Sequence, residues 1–224
     1  MTLIPPAAAP LEGRPACRRR VREALGWTDA EFVIAGIGQM GYDGGQKFLS
    51  WAGAIVWEFL PNVRLIFPGV GPNTPNIRTF VAGMRQVDQQ PLTEHRFSTA
   101  DALAAADAAA YVPTRDGGVG GLAAAMAAGL PLVVSRTRDA AWCAPEDTAA
   151  IHVTAGDPRA LAAAIAKIID SPELAERLGR GAAAMAAERL AGDAVRRQME
   201  DLWARAPAAE AFGGKCCYNG DPQT

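Results

Sequence analysis

Short apolar runs alternate along this chain with longer stretches in which apolar residues recur every three or four positions. "FVIAGI" (32–37) is rich in β-branched residues and predicts a buried strand. In "GQKFLSWAGAIVWEFL" (45–60), Phe48, Trp51, Ala52, Ile55 and Phe59 fall at helical spacing and predict a helix with that face in the core. "VRLIFPG" (63–69) predicts a second strand, residues 76–86 a helix, and "HRF" (95–97) a short strand. "TADALAAAD" (99–107) predicts a helix capped by Thr99, and "AAAYVP" (108–113) a strand stopped by Pro113. "AAIHVT" (149–154) predicts the last strand. Asp157 then opens "DPRALAAAIAKIID", with Pro158 at the first helical position and Leu161, Ile165 and Ile168 on one face. "SPELAERLGRGAAAMAAERL" repeats the device with Ser171 and Pro172, and a final amphipathic helix runs from about Asp193 to Ala204.

One stretch breaks the rhythm. "DGGVGGLAAAMAAGLPLVVS" (116–135) holds nineteen uncharged residues between Asp116 and Arg136. A membrane-spanning helix needs about 20 apolar residues, so length alone permits one. The glycines 117, 118, 120 and 121 crowd its start, each weakening a helix by about 1 kcal/mol relative to Ala, and Gly129 and Pro131 break the run. Three pieces result: a glycine loop, a helix over Leu122–Ala128 and a buried strand at 132–134. Strands separated by helices make βαβ units, hence a doubly wound, Rossmann-like parallel sheet of about six strands. One domain spans residues 14–206, between a flexible arm (1–13) and a disordered tail (207–224).

Composition narrows the function. The 224 residues are half hydrophobic and carry a net charge of −2. The one dense cationic run, "RRRVR" (18–22), reads as a solvated helix face, so no nucleic-acid partner is implied. "MTLIPPAAAP" lacks the charged and apolar regions of a signal peptide, and no transmembrane segment survives the reading above. The compartment implied is the cytoplasm, with a peripheral place at the inner face of a membrane left open. Cys17, Cys143, Cys216 and Cys217 show no CxxC spacing, and His95 and His152 stand far apart, so no metal site and no cofactor are implied.

Ligands of open parallel sheets bind outside the carboxyl ends of the strands. Three glycine-rich loops fall there: "GQMGYDGG" (38–45), "PGVGPN" (68–73) and "PTRDGGVGG" (113–121). The third feeds a helix N-terminus, where backbone N–H groups and the helix dipole favour an anion. The three together point to a nucleotide-like ligand. No GxGxxG follows the first strand, which argues against a dinucleotide.

The order of these pieces resembles the C-terminal, donor-binding domain of retaining glycosyltransferases with two Rossmann-like halves, the GT-B fold. "RRRVREALGWTDAEFVIAGIGQM", "NVRLIFPGVGP", "TADALAAADAAAYVPTRDGGVGGLAAAMAAGLPLVVS" and "AGDPRALAAAIAKIIDSPELAERLG" each look like a family segment, and the likeness covers about residues 14 to 200. The resemblance implies a nucleoside diphosphate sugar as ligand. In the family an Arg and a Lys of the first loop hold the diphosphate, one acid of the third loop sits by the sugar and a second binds the ribose. In register, these positions are Gln39, Gly44, Asp116 and Ala124. Asp116 keeps a carboxylate and is the expected catalytic residue. Gln39 and Gly44 carry no charge, and Ala124 cannot bind a ribose. The expected donor-binding residues are Gly38, Gln39, Lys47, Gly69, Gly71, Gly117, Gly118, Val119 and Gly120, with Lys47 as a candidate substitute cation. Losing two hydrogen bonds to a charged group costs roughly 3–6 kcal/mol, so weak donor binding is expected.

The resemblance implies a donor-binding half that depends on a separate acceptor-binding domain or subunit and is impaired alone. The alternatives are a non-catalytic binding or scaffold module in polysaccharide or glycoconjugate assembly, and a standalone nucleotide- or phosphosugar-binding enzyme of other chemistry, for which no acid/base pair is found.

Overall fold

A computed structural model of the chain describes residues 6–205. Six parallel strands form one sheet: β1 (Phe32–Ile37), β2 (Val63–Pro68), β3 (Leu92–Glu94), β4 (Ala108–Tyr111), β5 (Leu132–Ser135) and β6 (Ala150–Val153). Their spatial order is β3-β2-β1-β4-β5-β6. The helices among the described residues are α1 (Arg14–Leu25), α2 (Gln46–Trp57), α3 (Thr74–Gly83), α4 (Thr99–Ala105), α5 (Gly120–Ala127), α6 (Arg138–Cys143), α7 (Pro158–Asp170), α8 (Pro172–Met185) and α9 (Gly192–Arg205), with a π-helical turn at Ala186–Leu190. None is long and apolar enough to cross a membrane. The sheet separates two cores. Val33, Ala35 and Ile37 face one, with Leu103, Leu122 and Met126. Ile34 faces the other, with Leu49, Phe67, Leu161 and Ile165. The alternation follows from the two-residue period of a strand covered on both sides.

Several local expectations need correction. The short strand lies at Leu92–Glu94 rather than 95–97. Glu94 adopts a φ of 47°, a left-handed conformation that ends the strand, and Phe97 is buried in a core instead. Ser98, not Thr99, caps α4: its hydroxyl accepts from the Asp101 amide at 3.1 Å, and the Asp101 carboxylate accepts from the Ser98 amide at 3.0 Å. Ser171 makes no side-chain cap, because it both closes α7 and opens α8. In α2 the buried stripe is Leu49, Ala52, Gly53 and Val56. Trp51 is exposed, and Phe59, beyond the helix end, is 81% exposed. Of the expected face Ala52 is buried and Phe48 and Ile55 pack at the edge of the core, while Phe59 borders a groove against the alanines of α7. The six-residue α6, capped by Thr137, was not expected at all.

The cationic run is solvated only in part, at Arg19 and Arg20. Arg22 is 2% exposed. Its guanidinium donates to the carbonyls of Ala105, Thr28 and Glu31 at 2.7–3.1 Å and to the Asp107 carboxylate at 2.7 Å. Arg18 donates to the other Asp107 oxygen at 2.8 Å, and Arg20 pairs with Asp101. Asp107 also accepts the Val33 amide at 2.8 Å. Only Arg19 of the run is left on the surface without a partner among the described residues. Residues 6–12 form no helix or strand, yet the Ala8 amide donates to the Leu190 carbonyl at 2.8 Å and Leu11 packs on the core. Cys216, Cys217 and the expected tail lie outside the described residues.

Arg22→Ala leaves Asp107 its bond to Arg18, but it takes the donor from three backbone carbonyls, and a buried group left unsatisfied costs about 1–3 kcal/mol. Arg22→Ala is expected to lower unfolding free energy in urea by about that amount, and Arg19→Ala by less than about 0.5 kcal/mol.

Candidate functional site

The strand order reverses between β1 and β4, so the connections leaving these two strands run to opposite sides and open a crevice at their carboxyl ends. There the loop after β1 and the loop after β4 enclose a cleft of about 320 Å³. Gly38, Gln39, Asp116, Gly117 and Gly118 line it together with Tyr42, Asp43, Tyr111 and Arg115. Val119 and Gly120 continue the rim as the N-cap and first residue of α5. The amides of residues 117–120 donate to no acceptor among the described residues, which leaves them available to an anion.

The first loop owes its course to close packing. Gly45 has a φ of 77°, and a Cβ there would stand 1.7 Å from the Val112 carbonyl oxygen. At Gly44 a Cβ would meet the Gln39 carbonyl oxygen at 2.2 Å. Gly44 is not in the left-handed region; contact with its own loop is what forbids a side chain. The buried Gln46 amide donates to that same Gln39 carbonyl at 3.0 Å. The second loop acts as a prop. The Asn73 amide donates to the Met40 carbonyl at 3.0 Å, and Gly71 presses so close to Met40 that a Cβ would lie 2.4 Å from its oxygen. Gly69 continues the ladder to Glu94. Gly69 and Gly71 are therefore not among the lining residues. Lys47 is not either: it is exposed on α2, with its ammonium 5.0 Å from the centre of the Phe80 ring on α3.

Asp116 reaches across to α6. One of its oxygens accepts the Asp139 amide at 3.1 Å and the other lies 3.3 Å from the Arg138 guanidinium. The Tyr111 hydroxyl donates to the Gly118 carbonyl at 3.1 Å and pins the third loop at the end of β4. Burial first, then the nearby Asp139, Cys143 and Asp116, push this phenol up to about 12. The Thr114 amide and hydroxyl both point to the Asp43 carbonyl, at 2.8 and 3.3 Å, and the Arg115 guanidinium lies 3.4 Å from the Asp43 carboxylate. Sequence reasoning missed Arg115, Tyr111 and Asp43 as cleft residues. The signal was present for Arg115, which directly precedes Asp116 in "PTRDGGVGG". Ala124 is half-buried against the core and offers no polar group. Among the described residues no group of three His, Cys, Asp or Glu could hold a metal ion. A larger cavity, about 470 Å³, opens beside α1 at the opposite end of the sheet, and its Arg18 and Arg22 are committed to Asp107 and backbone carbonyls.

Two predictions follow from this geometry. A Tyr whose folded pKa is raised favours the folded state below its ordinary pKa of about 10; that contribution is lost as pH rises through 10 towards 12. Tyr111→Phe should therefore flatten the decline of stability over this window, and the wild-type-minus-variant absorbance titration should place the missing phenol near 12. Gly44→Lys, which would restore the family's lysine, should destabilise the chain by roughly 1–3 kcal/mol through overpacking, as read by thermal unfolding, and should not improve anion binding.

Comparison with known proteins fits this arrangement. A search of curated protein sequences returns no match. The chain superposes on Anabaena Alr3699/HepE in complex with UDP and glucose with a TM-score of 0.76 and 19% identity, covering 85% of this chain and 52% of that one. Sucrose-phosphate synthase from Thermosynechococcus elongatus gives 0.74 and 21%, covering 91% and 52%. The C-terminal domain of a glycosyl transferase group 1 family protein (LpcC) from Francisella tularensis gives 0.67 and 12%, covering 82% and 96%. The chain thus spans about half the length of the first two and nearly all of an isolated C-terminal domain. The fold is that of one half of a GT-B glycosyltransferase. The family described as glycosyl transferases group 1 matches residues 19–171, and the chain belongs to it.

Proposed function

We propose that the chain is the donor-binding half of a glycosyltransferase that transfers a sugar from a nucleoside diphosphate with retention, in partnership with a separate acceptor-binding domain or subunit at the cytoplasmic side. The observation that carries this reading is the cleft at the switch point, with unpaired amides at 117–120 beside the Asp116 carboxylate. The amides receive the diphosphate, and Asp116 lies by the sugar. The matched structures include one that holds UDP and glucose. Tyr42, 71% exposed, and Val70 stand at this edge as apolar surface for the acceptor-binding partner to cover.

Donor binding by the chain alone is weak. Gln39 and Gly44 bring no charge to the diphosphate, and an exposed helix dipole contributes only about 0.3–1 kcal/mol. Asp116 is also held by Asp139 and Arg138, and must leave them to approach a sugar. That last observation favours a second reading, a non-catalytic binding or scaffold module in glycoconjugate assembly.

Titration with UDP-, GDP- and ADP-sugars tests the proposal. The expected result is a dissociation constant in the millimolar range or worse, with no transfer until an acceptor-binding partner is added. A micromolar constant for the unmodified chain overturns the expected impairment. Absence of binding to every donor overturns the donor-binding role.

A further inference from the structure

Among the described residues that line the cleft, Arg115 is the one that carries positive charge. It follows Thr114 on the third loop and immediately precedes Asp116 and the free amides of residues 117–120. Its side chain is 78% exposed, and the one carboxylate paired with it is Asp43 of the first loop, at 3.4 Å. Asp43 itself is half-exposed and lies next to Gly44, the position at which the register of the sequence places the family's lysine. The two loops are joined at this point and no other pair of charges bridges them: the Asp43 carbonyl receives the Thr114 amide, and the Asp43 carboxylate lies within reach of the Thr114 hydroxyl at 3.5 Å.

We propose that Arg115 is the diphosphate-binding cation of this cleft, and that the Asp43 carboxylate is a stand-in for phosphate that the ligand must displace. The inference rests on the donor-binding reading and assigns to it a residue outside the family's pattern. The chemistry supports the exchange. A guanidinium presents a planar fork that suits phosphate oxygens as well as a carboxylate. An exposed ion pair is weak, so a ligand bearing two phosphates can replace Asp43. The neighbouring amides then receive the oxygens that Arg115 does not. Asp43 also sets the specificity of the cleft. Left in place it repels any anion, so a ligand that lacks charge gains nothing by moving it. A cleft built this way prefers a diphosphate over a nucleoside or free sugar, and its affinity is limited by the carboxylate it must displace.

Asp43→Asn separates these roles. The amide keeps the Thr114 contacts, because the main bond is to the Asp43 backbone carbonyl and the side-chain oxygen remains. The measurement is an NMR-followed titration of the whole chain with UDP, GDP and ADP, and with the three nucleosides as phosphate-free controls. Asp43→Asn is expected to tighten binding of the preferred diphosphate by about five-fold or more and to leave nucleoside binding unchanged. Asp43→Asn combined with Arg115→Ala is expected to lose that gain and a further factor of about ten, with partial recovery when Arg115→Lys is used instead. Thermal unfolding of each variant guards against misfolding, since both positions are on the surface and the variants should melt with the wild type. If the double variant binds a diphosphate as tightly as Asp43→Asn alone, Arg115 is not the cation and the inference falls, while the donor-binding reading stands. If Asp43→Asn binds no more tightly than the wild type, the displacement falls. If no form of the chain binds any nucleoside diphosphate, the donor-binding reading falls with it.

Discussion

The Asp107 carboxylate holds together the pair of strands on which the site depends. It sits where α4 gives way to β4 and accepts from Arg18, Arg22 and the Val33 amide of β1. One acidic group thereby joins α1, β1 and β4 at the amino end of the sheet. These are the two strands between which the order reverses, and they run in step from Ile34 opposite Ala108 to Ile37 opposite Tyr111. The loops that emerge at their other ends inherit that register. A clamp at one end of the strands therefore sets the separation of the cleft walls at the other. The arrangement is stable because its charges are compensated: a buried guanidinium is tolerated only with its donors paired, and Arg22 finds three carbonyls as well as the carboxylate.

Much of this fold was legible from periodicity. β1, β2, β4, β5 and β6 lie where short apolar runs bounded by Gly, Pro or polar residues place them, and α7 starts at the Asp157-Pro158 pair, with Asp157 accepting the Arg159 and Ala160 amides. What periodicity could not settle was which of two apolar stripes on α2 faces inward. The expected stripe of Phe48, Trp51, Ala52, Ile55 and Phe59 and the buried one of Leu49, Ala52, Gly53 and Val56 share Ala52, and both satisfy the helical spacing. The second stripe wins because Gly53 lets the helix approach the sheet: a Cβ there would meet the Leu65 side chain at 2.7 Å. The larger stripe cannot come that close. Likewise the arginine run looks solvated until Asp107, some 85 residues along the chain, is known to lie beside it.

The site was legible in its frame and less so in its charges. Glycine at the carboxyl ends of three strands marked the correct edge, yet the three loops do different things. The glycines of the third loop leave amides open, those of the first permit close turns against Val112 and Gln39, and Gly71 of the second exists so that one loop can lean on another. A glycine pattern cannot distinguish an open amide from a tight contact, because both demand the absence of a side chain. Lys47, chosen by nearness in sequence to the family's lysine, lies over Phe80 instead, because it belongs to the first turn of α2, whereas Gly44 precedes that helix and packs against its own loop.

The placement of charge on the third loop has a consequence for how the cleft is organised. A cation on the first loop would tie an anion to β1; Arg115 belongs to the segment that leads from β4 into α5. An anion gripped there bears on the same segment that Tyr111 pins through Gly118 and that Asp116 anchors to α6. Arg115 is the chain neighbour of Asp116, whose two bonds to Asp139 and Arg138 are both at the surface and individually weak. The first loop is held by Met40, Gln46 and the close contacts at Gly44 and Gly45. In this cleft the carboxylate and the guanidinium both sit on the segment that follows β4, and both are held by bonds at the surface.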